Sequence, residues 1–423
     1  MPEILRPEQV PDLLRPGMRV FVPGASNEPS GLLEALRARP ECAAGVTFVQ
    51  FPLPGMNRFD FAGWHPEARM ESFFLSGSIR GSFETGRVDF LPMHMRRVYG
   101  HLATCRSFDL VLVQLGRDGK DTFRHGPNLD FLEAALGNGL RVLAEVNTAL
   151  SSPAGAPRMP VDAIHYLMET EHPLPELAPP ELDSVSRMIG KEVAGLIPDG
   201  ACIQTGIGSI PAAVLAALSE HNDLGLHGGL IDDAGLALIE RGVVTGARKD
   251  IDRNLHITGM ALGSEAFYDK LAQRPDVVFR PARYTHEVGV ISELQHFVSI
   301  NSAVEVDLLG QVSAEMVAGR QISGTGGSVD FMRGAATSPG GRSIVAMTAT
   351  ARDGSLSRIV AALASGTAIT AARTDVDCVV TEYGVAELKG RSVDARARAM
   401  IRIAAPAFRD ELTAAWQERR SRM

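Results

Sequence analysis

The run Leu110–Leu115 (LVLVQL) constrains this chain more than any other segment. Every position but Gln114 is apolar, so a strand formed there has no face to give to water. Such a strand is covered on both sides, as in a parallel sheet flanked by helices. Val142–Val146 is a second run of the same kind. Arg19–Pro23 (RVFVP) is a shorter strand. It leads through Gly24-Ala25-Ser26-Asn27-Glu28-Pro29 into a helix carrying Leu32, Leu33 and Leu36. Val46–Phe51 supplies another strand. Strands that alternate with helices imply a parallel sheet with right-handed crossovers.

His172–Pro180 (HPLPELAPP) holds four prolines and reads as a linker, because proline breaks both helix and ladder. The length of 423 residues suits two domains, and the boundary is placed at residue 180, giving lobes 1–180 and 181–423. After the linker, Asp183 or Ser184 caps a helix whose apolar positions are Val185, Met188, Ile189, Val193, Leu196 and Ile197. Pro198-Asp199-Gly200 ends it. Strands are expected at Ala201–Gln204, Leu224–His227, Leu255–Gly259, Val277–Arg280, Ser302–Asp307, Ile344–Met347 and Cys378–Thr381. The predicted fold is α/β: two open lobes with mainly parallel sheets and a ligand cleft between them.

Charge and cysteine content narrow the function. The net charge is -8, and no dense basic run exists to meet phosphates, so nucleic acid is not an expected partner. Arg419-Arg420-Ser421-Arg422 reads as a solvated helix end. The four cysteines, Cys42, Cys105, Cys202 and Cys378, form no C-x-x-C pair, so no metal site is expected. Cys202 and Cys378 sit in apolar runs and read as core residues. The opening MPEILRPEQV lacks a basic stretch before an apolar core, and no apolar run is long enough to span a bilayer. A cytoplasmic protein without membrane attachment is the expectation.

Five segments carry the residue types that chemistry needs. In ACIQTGIGSIPAAVL (201–215) a buried strand enters Gly206-Ile207-Gly208, with Pro211 at the first helical position. A helix start of this kind suits an anionic oxygen, although G-x-G after a strand also describes a plain tight turn. QISGTGGSVDF (321–331) places Gly324, Gly326 and Gly327 within four residues, which lets the main chain approach a ligand and form an oxyanion hole. Its alternative is a surface hairpin. In FVSINSAVEVDLLGQVSAE (297–315), Glu305 and Asp307 are carboxylates available for catalysis, but their alternation with apolar residues accounts for them as solvated or cleft-facing. Glu382-Tyr383-Gly384 ends a strand ahead of a short helix, where open α/β sheets bind ligands. LGLHGGLIDD (224–233) offers His227, Asp232 and Asp233 for acid–base work, against the blander reading of a structural histidine.

Together these motifs, with SRIV, VVTEYGVAELKGRS and the N-terminal PGASNEP, resemble the acetyl-CoA hydrolase/transferase family, most strongly from Asp183 to Asp410. The resemblance implies a class I CoA-transferase fold and ping-pong transfer through an enzyme glutamyl-CoA thioester. It implies a homodimer, and coenzyme A as substrate and product, with no tightly bound cofactor. It assigns the thioester oxygen to the backbone at Ile207, Gly326 and Gly327. The family's nucleophilic glutamate follows His and Thr; here the matching stretch is His227-Gly228-Gly229, so the glutamate position is Gly229. Glycine forms no ester. Asp60, on the stretch after Val46–Phe51, is the relocated candidate, and Glu28, Asp232, Asp233 and Glu382 are further carboxylates. Tyr383 joins Glu382 as a substrate-binding candidate. Three readings follow: a CoA-transferase acting with a small carboxylic acid, or an acyl-CoA hydrolase in which His227 or a nearby Asp activates water; a CoA-ester-binding protein without catalysis; and another enzyme class on the same scaffold, such as a sugar-phosphate isomerase.

Overall fold

The computed structural model describes residues 1–119 and 122–422. The chain divides into two compact units, Met1–Ala178 with Ile257–Thr285, and Pro179–His256 with His286–Met423. The segment Ile257–Thr285, assigned from sequence to the second lobe, therefore returns to the first. Backbone bonds hold it there: Leu129 N–H donates to the Gly259 carbonyl (3.0 Å), Ala261 N–H to Pro127 (2.8 Å) and Phe279 N–H to Gly155 (3.1 Å). Gly155 is required at this join, since a Cβ would lie 1.8 Å from the Val277 carbonyl oxygen. Hydrophobic pattern marks strands and helices but not which sheet a returning segment joins.

Among the described residues the first unit holds a ten-stranded sheet. Its main path runs Glu3–Ile4, Tyr166–Thr170, Val142–Asn147, Leu110–Arg117, Arg19–Phe21, Thr47–Gln50, Arg69–Ser72 and Val88–Phe90. Every neighbouring pair on that path is parallel. Thr122–His125 and Arg158–Pro160 add on antiparallel. The apolar run is buried as its composition demands, with Val111, Leu112, Val113 and Leu115 all at 0 % exposure. Gln114 is also buried, and Asn147 Nδ2 donates to its Oε1 at 3.1 Å. Helix Ser30–Arg37 packs Leu32, Leu33 and Leu36 into the core. Each such side chain contributes about 1.5–3 kcal/mol on burial.

Glu145 organises the same unit. It accepts hydrogen bonds from Leu32 N–H (2.7 Å), Thr170 Oγ1 (3.1 Å) and the ring of His172. The carboxylate thus sits at the first turn of helix Ser30–Arg37, where the helix dipole favours negative charge. The proline-rich segment forms no regular element, yet it is fixed to this unit through His172 and through Tyr268 Oη, which donates to the Pro175 carbonyl at 2.9 Å. The Glu145 hydrogen bond raises the His172 pKa above its ordinary 6.5. A histidine whose folded pKa is raised gives its full stabilisation below 6.5 and loses it as pH rises through the folded value. The expected result is that His172→Gln costs about 1.5 kcal/mol at pH 6 and less at pH 9. Denaturant unfolding at the two pH values checks this, and an equal loss at both would remove the ion pair as its cause.

The second unit holds a six-stranded sheet in the order Gly225–Leu226, Cys202–Gln204, Phe297–Asn301, Arg342–Ala346, Cys378–Thr381 and Gly384–Glu387. All neighbours are parallel except the last pair. Cys202 and Cys378 are buried within it. Asp183 caps helix Ser184–Ala194, its carboxylate accepting from Ser186 N–H at 2.6 Å. The buried face differs from the expected one. Met188 is 52 % exposed, whereas Gly190 faces inward, where a Cβ would lie 2.6 Å from the Ala213 backbone. A glycine that lets two helices touch leaves no hydrophobic signal. Among the described residues no helix is long and apolar enough to cross a membrane.

Candidate functional site

Because the first five strands of the second sheet run parallel, the segments after their C-terminal ends share one edge. Gly206–Gly208, His227–Gly229, Ser302–Ala303, Met347–Thr348 and Glu382–Tyr383 all emerge there. Gly208 has φ +114 and is the N-cap of helix Ser209–Ala217, which has no side-chain cap. Pro211 is the third helical residue rather than the first, still within the turn where a missing N–H costs no helical bond. Ile207 is 43 % exposed beside these glycines.

The second glycine segment opens helix Ser328–Thr337. Gly327 is its N-cap, again without a side-chain cap, and Gly326 has φ +59. A hairpin of Met316–Val317 with Arg320–Gln321 does precede it, but the glycines lie beyond the hairpin. The loop is anchored by a buried network that sequence pattern did not single out. Gln321 Nε2 donates to Glu315 Oε2 and to the Ser323 carbonyl, both at 2.8 Å, and Thr370 Oγ1 donates to Glu315 Oε1 at 2.9 Å. A carboxylate closing the GQVSAE motif was the available signal.

The His227-Gly228-Gly229 turn lies between these parts. A Cβ on Gly228 would meet Gln204 Cγ at 3.4 Å, next to the first glycine turn. A Cβ on Gly229 would meet the His286 ring at 3.0–3.1 Å and Phe331 at 3.7 Å, in the first turn of helix Ser328–Thr337. Neither glycine has a positive φ. The His286 ring is buried 4.4 Å from Phe331, and burial pushes its pKa down to about 3, so it is a neutral imidazole. The structure thus sets Gly228 beside the strand that leads to Gly206–Gly208 and Gly229 beside Phe331 of the helix that Gly327 opens, with His286 as a member that sequence reasoning missed.

The carboxylate candidates have other duties. Asp232 caps helix Asp233–Glu240 through Gly235 N–H (2.8 Å), and burial raises its pKa. Asp233 is that helix's first residue. His227 is fully buried, edge-on to Phe297 at 6.2 Å. Asp307 is buried rather than solvated or cleft-facing: it accepts from Leu309 N–H and Gln311 N–H, each at 2.9 Å, and pairs with Arg419 at 3.5 Å. Of the expected strand Ser302–Asp307 only Glu305–Asp307 forms, in a small separate sheet, and the strand of the six-stranded sheet is the preceding Phe297–Asn301. Glu382 Oε2 accepts from Ala349 N–H at 2.9 Å, and Tyr383 is 44 % exposed with the Arg409 guanidinium 5.7 Å from its ring. These two residues turn the chain into the antiparallel strand Gly384–Glu387, where a helix was expected.

In the first unit, Asp60 caps helix Phe61–Trp64 through Gly63 N–H (3.1 Å) and accepts from Ser82 Oγ at 2.7 Å. Glu28 is buried, with Gln50 Nε2 donating to its Oε1 at 2.8 Å. Burial pushes its pKa up to about 7, the range suited to proton transfer at neutral pH.

The chain matches the acetyl-CoA hydrolase/transferase N-terminal domain over residues 2–176 and the C-terminal domain of the same family over residues 263–416. It is 37 % identical to a 4-hydroxybutyrate coenzyme A transferase of Clostridium kluyveri, covering 95 % of this chain and 94 % of that protein. Among solved structures, RipA from Yersinia pestis superposes with a TM-score of 0.92 at 29 % identity, covering 99 % of this chain and 98 % of that one. A 4-hydroxybutyrate CoA-transferase from Porphyromonas gingivalis gives 0.81 at 30 % identity, covering 100 % and 98 %.

Proposed function

The chain belongs to the acetyl-CoA hydrolase/transferase family, and on that premise we propose that the edge of the second sheet is where it acts on the thioester of an acyl-CoA. The protein is an acyl-CoA transferase or hydrolase. The observation that carries the site is the Gly228-Gly229 turn, set beside Gln204 on the strand that leads to one glycine-led helix start and beside Phe331 in the first turn of the other. Backbone N–H groups there stabilise the oxyanion that develops as the thioester carbonyl is attacked. The donors assigned to that oxygen are those of Ile207, Gly326 and Gly327, with Gly206, Gly208 and Gly324 shaping the approach and Glu382 and Tyr383 bordering it. Coenzyme A is substrate and product, a small carboxylic acid is the partner in transfer, and the working state is a cytoplasmic homodimer.

One observation favours hydrolysis over transfer. Position 229 carries no carboxyl, and the His286 ring crowds the space where a side chain would begin. Turnover of a panel of short-chain acyl-CoAs, with and without acetate or succinate, separates the two. Release of free CoA independent of acid marks a hydrolase, and acid-dependent exchange marks a transferase. No turnover with any acyl-CoA would leave a binding protein. Gly326 tests the loop itself. Its φ of +59 disfavours any side chain, yet no atom lies within 4 Å of an added Cβ. Gly326→Val is therefore expected to leave the fold standing and weaken acyl-CoA binding by about tenfold or more in calorimetry. Unchanged affinity would remove the loop from the site.

A further inference from the structure

The first unit contains a cavity of about 780 Å³, within the range of small-molecule sites. Leu129, Leu132 and Leu136 form one wall and Phe279 another, and none of the residues proposed above for acyl-CoA lines it. Its charges do not cancel. Glu133 and Arg283 both face it but pair with each other, Glu133 Oε1 lying 2.6 Å from Arg283 Nη2. Arg280 is exposed, its guanidinium carbon 5.9 Å from the Tyr284 ring, and no carboxylate pairs with it among the described residues.

The second polar feature is His125, which lines the cavity at the end of strand Thr122–His125. It is 7 % exposed, and burial pushes its pKa down to about 4, so the ring is neutral at physiological pH. Its Nδ1 is buried and has no hydrogen-bond partner among the described residues. A buried polar atom of this kind is destabilising until something pairs with it. A neutral imidazole meets either a donor or an acceptor, according to its tautomer.

An apolar wall, one guanidinium without a carboxylate partner among the described residues and one neutral imidazole define a ligand. We propose that this cavity binds an amphipathic organic carboxylate, its acid group on Arg280, its hydrocarbon body against Leu132, Leu136 and Phe279, and the neutral His125 ring beside it. The site does not depend on the acyl-CoA reading of the second unit.

Calorimetry on the full chain tests it with benzoate, cinnamate and decanoate, and with cinnamamide as the neutral control. At least one acid is expected to bind, with the amide weaker. Arg280→Gln alters an exposed side chain, so the fold stands, and affinity for the acid falls about fivefold to tenfold. Leu136→Trp, at a half-buried position, fills the cavity and abolishes binding. Acyl-CoA turnover stays unchanged in Arg280→Gln. Equal affinity of parent and both variants would place the acid elsewhere and overturn the proposal. Equal binding of cinnamamide and cinnamate, or no binding at millimolar acid, would do the same. A changed sedimentation mass of Leu136→Trp without probe binding to the parent would make the cavity a contact between copies of the chain.

Discussion

Replacing Gly228 with Thr and Gly229 with Glu is expected to raise acetate-dependent CoA transfer at least about tenfold over the parent, a barrier change of about 1.4 kcal/mol. The family resemblance puts a nucleophilic glutamate at position 229, and a transferase needs a carboxylate that attacks the thioester and is regenerated by the acceptor acid. The backbone accepts the change. Neither glycine has positive φ, and a Cβ on Gly228 makes only ordinary contact with Gln204. At Gly229 the His286 ring must yield by a few tenths of an ångström. Overpacking of this kind costs about 1–3 kcal/mol of stability. His286→Ser in the same background relieves it and is expected to raise transfer further. The parent, incubated with acyl-CoA, should show no covalent adduct in the peptide from Leu224 to Arg241 after borohydride trapping, whereas the double variant should carry one at position 229. An adduct on Asp232 or Asp233 in the parent would show that a neighbouring carboxylate does the work, and one on Asp60 or Glu28 that the first unit supplies it. A folded double variant that binds acyl-CoA without gaining transfer would mean that the pocket serves another reaction, and hydrolysis would lead.

Asp307→Ala should produce the largest loss of stability among the site-motif carboxylates, about 3–5 kcal/mol. The substitution strands two turn N–H groups, those of Leu309 and Gln311, and removes the carboxylate that pairs with Arg419. Asp307→Asn keeps an acceptor for both N–H groups and should lose less. Urea unfolding measures both. A catalytic Asp307 would behave in the opposite way, with turnover lost and stability kept.

The carboxylates show how far sequence pattern reaches. Alternation in VEVDLL predicted solvated or cleft-facing acids; Glu305 is half-buried, but Val306, Asp307, Leu308 and Leu309 are all buried, because the chain turns at Gly310 and Asp307 bonds the turn. Periodicity counts faces of a straight strand and does not register a turn that brings N–H groups to a carboxylate. In the same way Asp60 and Asp232 looked like free acids and are helix caps, a role set by where the following helix starts.

The sequence by itself determined the α/β class, the parallel strands at Leu110–Arg117 and Val142–Asn147, the glycine-led helix starts and the family. Each of these is written locally, in apolar runs, in glycine spacing or in motifs that stand in order. Only the tertiary structure decided that Ile257–Thr285 joins the first unit, that Gly190 lets two helices touch, and that His286 crowds the space beside Gly229. It also left Arg280 and His125 facing one cavity from segments far apart in the chain. Those outcomes depend on which distant backbones pack together, and packing is settled by shape and by hydrogen bonds between segments, neither of which leaves a period in the sequence.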